Sequence, residues 1–314
     1  RCPSGREALR PDLILQIGAY PISRGYEELL RSAPIERFVL APHGWPDPVG
    51  DAAEVVVADL GPTVAALLER LKPVHRDEAF LSRLEAADAA LHGVIEKVLG
   101  EEPFGEAAVA NVVVRSLPPG ATLAVGNSLP VRELSLVCPG ALGDVTVVSQ
   151  RGVSGIDGLV AGAAGAASAA GAFAKPTLLY LGDVSFLHDV GGLMAARGIE
   201  SPFVVVVSNN DGGRIFEQLP VATADLPRGA LELFTTPHGL SFRPAAELYG
   251  HRYAEVTDAG ALRAAVDRGL SRPGCTVIEA KIPQSSASRE LDSLTRGAEE
   301  ALASLLLSME GLTS

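Results

Sequence analysis

The 314-residue sequence predicts an α/β fold with a mainly parallel, doubly wound sheet, preceded by part of a second α/β domain. Three observations lead there. Short apolar runs alternate with helical patterns along the whole chain. The run 204–207 is all valine and has no period-two alternation, as a central strand covered on both faces would. Polar, glycine-rich segments follow several runs directly, where the carboxyl ends of parallel strands gather ligands.

Taken in order, residues 13–17, 38–40 and 54–58 read as strands, with helices near 25–32 and 63–71. The segment 41–51 carries Pro42, Gly44, Pro46, Pro48 and Gly50 and is too broken for either element. Phe80, Leu84, Ala87, Leu91, Ile95 and Val98, spaced by 4, 3, 4, 4 and 3, form the stripe of an amphipathic helix. That helix ends near Gly100, and Glu101-Glu102-Pro103-Phe104-Gly105 marks a boundary. Further strands are expected at 122–125, 145–149, 177–181, 203–208 and 276–282. The uncharged stretch 159–174 has 16 residues, mostly Ala and Gly, short of the roughly 20 strongly apolar residues of a membrane span. It reads as a buried soluble helix whose Gly162, Gly165 and Gly171 let a neighbouring backbone approach.

Composition excludes several function classes. With 26 Lys plus Arg against 38 Asp plus Glu, the net charge of −12 argues against nucleic-acid binding, which needs a basic face. A 47% hydrophobic and 20% charged chain is not a disordered one. Cys2, Cys138 and Cys275 are scattered without a C-x-x-C pair, so neither a disulfide framework nor a zinc site is expected, and a reducing cytoplasm is. The first thirty residues carry Arg1, Arg6, Glu7, Arg10 and Asp12 and show no apolar signal-peptide core. Residue 1 is Arg and the only methionines are Met194 and Met309, from which a longer gene product is expected.

Candidate chemistry sits at the strand ends. Gly126-Asn127-Ser128-Leu129-Pro130-Val131-Arg132 follows one strand, and Gln150-Arg151-Gly152-Val153-Ser154-Gly155-Ile156-Asp157-Gly158 follows the next. Gly182-Asp183-Val184-Ser185 and Asn209-Asn210-Asp211-Gly212-Gly213 follow two more. Asp183 offers a carboxylate, Asn210 an amide oxygen and the glycine turn a carbonyl. Three hard oxygens on one side suit Mg²⁺, which takes water and phosphate oxygens for its remaining positions. Alone, each dipeptide is ordinary turn chemistry. The 25 residues between Gly182-Asp183 and Asn209-Asn210 allow a helix and a strand to bring the chain back to the same sheet edge.

That pair resembles the thiamine-diphosphate motif, in which Gly-Asp and a later Asn bind Mg²⁺ and the cofactor diphosphate; Val184 stands where many members carry Gly. Together with Gly126-Asn127-Ser128, the Arg151–Gly158 run and Arg214-Ile215-Phe216-Glu217-Gln218-Leu219-Pro220, it resembles the MenD family of 2-succinyl-5-enolpyruvyl-6-hydroxy-3-cyclohexene-1-carboxylate synthases. The resemblance runs from Pro11 to the strand around Glu279.

The resemblance implies a cytoplasmic transferase of menaquinone biosynthesis that uses thiamine diphosphate and Mg²⁺ or Mn²⁺. It decarboxylates 2-oxoglutarate on the cofactor and adds the resulting carbanion to isochorismate. By the same resemblance Asp183, Asn210 and the Gly212 carbonyl are metal ligands, while Gly182 and Ser185 hold the diphosphate. Ile156 is then the wedge that keeps the cofactor bent. Arg132 and Arg151 bind substrate carboxylates, Ser128 hydrogen-bonds the intermediate, Ile215, Phe216 and Leu219 wall the reacting centre, and Arg24 contacts isochorismate; some family members carry Lys at that position. His188 receives no role.

Family members have a pyrimidine-binding, a middle and a diphosphate-binding domain. The resemblance divides this chain into a middle-domain remnant (1–75), a linker helix (76–103) and the diphosphate-binding domain (104–314). The activating Glu then belongs to an N-terminal domain missing from this chain, leaving the isolated chain inactive and the full-length protein a homodimer or homotetramer. Two other readings stay open: another thiamine-diphosphate-dependent decarboxylase or carboligase with a different acceptor, and a non-catalytic binding or oligomerisation module.

Overall fold

The computed structural model describes residues 3–71, 77–138, 140, 142–169 and 175–310. Cys2, Gly171 and the end of the Ala/Gly stretch lie outside the described residues. The chain divides into two compact units, Arg1–Val94 with Leu294–Ser314, and Ile95–Ser293.

Unit 1 contains α1 (Pro3–Ala8), β1 (Leu13–Ile17), α2 (Arg24–Ser32), β2 (Glu36–Ala41), β3 (Glu54–Val57) and α3 (Leu60–Arg70). Its three strands are parallel in the order β1-β2-β3. The middle strand β2 buries Val39, Leu40 and Ala41. The Pro/Gly segment after β2 is irregular, as its composition predicts. Arg37 anchors it: the buried guanidinium meets the carboxylates of Asp47 and Asp51, and Nη1 donates to Gln16 Oε1 at 2.9 Å. The long helix α4 (Glu78–Glu101) follows the predicted stripe and has residues in both units.

Unit 2 continues with α5 (Glu106–Arg115), β4 (Thr122–Val125), α6 (Leu129–Val137), β5 (Thr146–Ser149), α7 (Leu159–Ala169), β6 (Thr177–Gly182) and α8 (Asp183–His188). After these come β7 (Pro202–Asn209), α9 (Glu232–Thr235), α10 (Arg243–Leu248), β8 (Arg252–Val256), α11 (Ala259–Leu270), β9 (Gly274–Lys281) and α12 (Ser286–Glu310), whose last part returns to unit 1. The six strands are all parallel, in the order β5-β4-β6-β7-β9-β8.

Period-two alternation sorts the two cores. Leu178, Tyr180, Val204 and Val206 face α5, α6 and α11, while Leu179, Leu181, Phe203, Val205 and Val207 face α7 and α8. The valine run is buried on both faces, and each such side chain contributes about 1.5–3 kcal/mol. These strands form a rigid floor.

One expectation about α7 needs correcting. It is not buried all round: Leu159, Val160, Ala163, Ala164 and Ala167 form one buried face, and Gly162 and Gly165 lie on the open one. A side chain at Gly165 would meet nothing within 4 Å, so no backbone approaches there. Alanines on the inner face already let the helix sit close to the sheet.

Chain direction then locates the site. From β4 the chain moves to the edge strand β5, then crosses back to β6 on the other side of β4. The carboxyl ends of β4 and β6 therefore flank a topological switch point, where open parallel sheets leave a crevice.

Candidate active site

A cavity of about 320 Å³ occupies that crevice, enclosed by the carboxyl ends of β4, β6 and β7 and the loop after β5. Gly182, Asp183, Ser185, Asn210 and Gly212 line it, as does Ile156 from the loop after β5. Ser128, Arg132, Arg151, Ile215, Phe216 and Leu219 line it too. Twelve of the thirteen residues singled out in the sequence thus meet in one place. Arg24 does not. It opens α2 in unit 1, exposed, with Nε 3.1 Å from Glu28 Oε1. His188 is exposed at the end of α8 and does not line the cavity.

Backbone strain concentrates at the same spot. Among the described residues, four non-glycine residues have positive φ: Ser128 (70°), Ser154 (57°), Asp211 (62°) and Thr236 (43°). Ser128, Ser154 and Thr236 line the cavity, and Asp211 sits between the lining residues Asn210 and Gly212. Such conformations cost of order 1–3 kcal/mol each and persist where the surroundings over-determine them.

The surroundings here are hydrogen bonds. Asp211 Oδ1 accepts from the backbone N–H groups of His238 (2.9 Å) and Gly239 (2.6 Å), and Gln284 Nε2 donates to Oδ2 at 2.8 Å. Asn209 Oδ1 accepts from Asp211 N at 3.1 Å, and the buried Glu279 holds Asn209 by accepting from its Nδ2 at 2.7 Å. Gly212, at φ 129°, has room for no side chain, since a Cβ would lie 2.2 Å from the Thr235 carbonyl oxygen. Its N–H donates to Asp183 Oδ2 at 2.8 Å, tying the ends of β6 and β7 together.

This turn presents oxygen ligands. Asp183 is buried, and its carboxylate faces Gly212 and His238 Nε2 (3.2 Å). Asn210 Nδ2 donates to Glu106 Oε1 at 2.7 Å, while Asn210 Oδ1 is buried with no partner among the described residues. An orphaned acceptor beside a carboxylate fits a cation, because leaving it unsatisfied costs about 1–3 kcal/mol. Among the described residues no three His, Cys, Asp or Glu side chains converge to hold a metal by themselves. A cation here would rely on amide, carbonyl and ligand oxygens, the preference of Mg²⁺.

The opposite wall is positive. Burial, and then the charge of Arg151, lower the pKa of the Arg132 guanidinium. Arg132 Nη1 donates to its own turn at Ser128 O (2.7 Å), and Arg151 Nη1 to Asn127 Oδ1 (2.6 Å). Neither makes an ion pair among the described residues. Asn127 is buried and also donates to Gln150 O and Gly155 O, so it joins the loops after β4 and β5 and aims Arg151. Ile215, Phe216 and Leu219 complete an apolar side, with the Phe216 ring 5.6 Å from Phe234.

Sequence reading missed three contributors. Asn127 stood inside a quoted motif without a role. Glu106 lies 104 residues before its partner Asn210, and burial raises its carboxyl above the usual range. His238 lies 55 residues after Asp183, whose hydrogen bond raises its imidazole above the usual value. No local spacing signals either contact.

Residues 145–280 match the family described as thiamine pyrophosphate enzyme, C-terminal TPP binding domain. A 2-succinyl-5-enolpyruvyl-6-hydroxy-3-cyclohexene-1-carboxylate synthase from Sorangium cellulosum (strain So ce56) is 40% identical over 298 residues, covering 90% of this chain and 47% of that protein. Proteins of the same name from Roseiflexus sp. (strain RS-1) and Geobacillus kaustophilus (strain HTA426) are 34% and 36% identical, covering 86% and 87% of this chain and 46% of each relative. The crystal structure of benzoylformate decarboxylase from Polynucleobacter necessarius matches with a TM-score of 0.58 at 18% identity, over 87% of this chain and 49% of that one, a likeness of fold. The chain spans about half the length of the curated relatives it matches. Residues 145–280 thus match the C-terminal TPP binding domain of thiamine pyrophosphate enzymes, and the chain as a whole is similar to 2-succinyl-5-enolpyruvyl-6-hydroxy-3-cyclohexene-1-carboxylate synthases.

Proposed function

We propose that this chain forms the diphosphate-binding part of a transferase that decarboxylates 2-oxoglutarate and joins the remaining four-carbon unit to isochorismate. The product is 2-succinyl-5-enolpyruvyl-6-hydroxy-3-cyclohexene-1-carboxylate, an intermediate of menaquinone biosynthesis. One juxtaposition carries the reading: two arginines and an Asn210 oxygen, without carboxylate or hydrogen-bond partners respectively among the described residues, share a cavity with Asp183.

In this reading Asp183, Asn210 Oδ1 and the Gly212 carbonyl hold Mg²⁺ or Mn²⁺, with diphosphate oxygens completing the shell. Thiamine diphosphate, when bound, supplies the electron sink for loss of carbon dioxide. Gly182 and Ser185 bind the diphosphate, and the stiff β-branched Ile156 props the cofactor. Arg132 and Arg151 bind and orient the carboxylates of 2-oxoglutarate, since a planar guanidinium meets a carboxylate in two parallel bonds. Ser128, held at positive φ, turns its side chain toward the same substrate. Ile215, Phe216 and Leu219 exclude water from the reacting atoms. The resemblance adds Arg24 as an isochorismate contact. It also assigns the activating carboxylate to a pyrimidine-binding domain, so that catalysis belongs to a homodimer or homotetramer of the whole enzyme.

The test joins these residues to the remaining half of the Sorangium cellulosum relative and follows substrates and products. The chain alone is expected to consume no 2-oxoglutarate, and the joined protein to consume it only with isochorismate, thiamine diphosphate and Mg²⁺ present. A folded joined protein that ignores isochorismate but couples simple aldehydes would replace this reading with that of a carboligase for another acceptor.

A further inference from the structure

The Asn210 side chain presents an unresolved choice to its surroundings. An asparagine amide is nearly symmetric in shape, yet only its oxygen can ligate a cation; turned over, it would aim two N–H donors at the metal. What sets the orientation lies on the side away from the turn. Glu106 opens α5, is 1% exposed, and accepts from Asn210 Nδ2 through Oε1 at 2.7 Å. Its other oxygen, Oε2, is engaged by the hydroxyl of the fully buried Ser286, which also reaches the Pro283 carbonyl oxygen at 2.6 Å. With Oε2 occupied, Oε1 has only an acceptor to offer. Gly105 makes room for this packing: a Cβ there would lie 2.6 Å from Glu290 Oε1 and 2.7 Å from the Ser286 side chain.

We propose that Glu106 is a positioning residue, which holds the Asn210 amide with its oxygen turned to the cation site. The proposal rests on the cation reading of Asp183, Asn210 and Gly212. The three hydrogen-bonding groups come from the start of α5, the end of β7 and the start of α12, so local turn chemistry does not account for them. Among the described residues no cation pairs with Glu106. A buried carboxyl without a cationic partner costs stability relative to an apolar side chain of similar size. Here its Oε1 is taken up by the Asn210 amide.

The test measures Mn²⁺ binding by electron paramagnetic resonance, in the presence of thiamine diphosphate, for the 314-residue chain, Glu106→Ala and Glu106→Gln. Outer-shell partners typically change metal affinity by about 10–100-fold, so Glu106→Ala is expected to bind Mn²⁺ at least about tenfold more weakly. Glu106→Gln is expected to stay close to the unsubstituted chain, because its amide oxygen accepts from Asn210 and its N–H reaches Ser286. Equal affinity in the unsubstituted chain and Glu106→Ala overturns the proposal, as does a Glu106→Gln chain as weak as Glu106→Ala. Absence of Mn²⁺ binding by the unsubstituted chain instead overturns the cation reading beneath it. Should Glu106→Ala not fold, nuclear magnetic resonance of the chain labelled with ¹⁵N-asparagine decides, with Asn210→Asp identifying the resonance. Slow solvent exchange of an Asn210 Nδ2 proton is expected. Exchange as fast as that of an exposed asparagine overturns the proposal.

Discussion

Arg37 in unit 1 and the pair Arg132 and Arg151 in unit 2 are one residue type in opposite surroundings. Arg37 is 1% exposed and meets two carboxylates and an amide oxygen. Burial lowers its pKa, but hydrogen bonds to Asp51 and Asp47 outweigh that and leave it raised. Arg132 and Arg151 line a cavity, face each other's charge and touch only neutral oxygens. The same contrast separates the polar groups around them. In unit 1 the ring of Asp47, Asp51 and Gln16 closes on the arginine. In unit 2 the buried Asn210 oxygen has no hydrogen-bond partner among the described residues, and the two guanidiniums meet only neutral oxygens. Arg37 is neutralised by carboxylates and staples a loop, whereas Arg132 and Arg151, with no carboxylate partner among the described residues, keep their charge toward the cavity.

This contrast is easiest to break at Arg37. Arg37→Met leaves Asp47 buried without its partner, and removing one member of a buried ion pair typically costs about 3–5 kcal/mol. Urea unfolding of the chain should show that loss, while Mn²⁺ binding in unit 2 persists in whatever fraction stays folded. An unchanged unfolding curve would mean that the Arg37 cluster staples nothing.

Arg132→Ala should behave in the reverse way. It removes a charge that Arg151 opposes, so the melting temperature is expected to hold or rise slightly. Affinity for a dicarboxylate such as 2-oxoglutarate, in a protein competent to bind it, should fall by roughly tenfold or more with the loss of a charge-assisted contact. Calorimetry and thermal melts on the same samples separate the two effects. A large drop in stability with no change in anion affinity would make Arg132 a structural residue like Arg37.

A smaller effect concerns pH. Glu290 is buried beside the start of α5, accepts from Ala107 N at 3.1 Å and has its pKa raised by burial to about 8. The unfolded chain releases this proton near the ordinary value of 4.5. Between those two values the folded state holds a proton that the unfolded state has lost, so stability falls as pH rises through that window. Glu290→Gln should flatten the slope of melting temperature against pH from about 5 to about 8. A slope identical to that of the unsubstituted chain would show that Glu290 ionises normally.

Much of this arrangement could be read before folding, for identifiable reasons. Strands β1, β4 and β7 announce themselves through apolar runs bounded by turn residues, and the polar segments that follow β4 and β7 line the cavity. β8 was not anticipated, because Arg252-Tyr253-Ala254-Glu255-Val256 is neither an apolar run nor a clean alternation. It becomes a strand by pairing with β9, where Arg252 Nε donates to Thr276 Oγ1 and Tyr253 OH to Glu279 Oε2. α5 and α6 were also missed, since their valines and leucines lack a wide polar face; both are half-buried against the sheet. Nine of the twelve cavity residues are legible because they lie in the polar segments that follow strands, whereas Ile215, Phe216 and Leu219, six to ten residues past the end of β7, come only from the resemblance. Glu106 and His238 are not legible, because their contacts with Asn210 and Asp183 exist only once distant elements pack.

The central claim is that Asp183 and the turn around Asn210 form a cation and diphosphate site. Calorimetric titration of the chain and its Asp183→Ala variant with thiamine diphosphate and Mg²⁺ tests it most directly. Loss of a charged ligand of this kind is worth about 2–3 kcal/mol, on the order of 100-fold in affinity, and that weakening is the expected result. Binding of the same strength in both proteins would contradict the account.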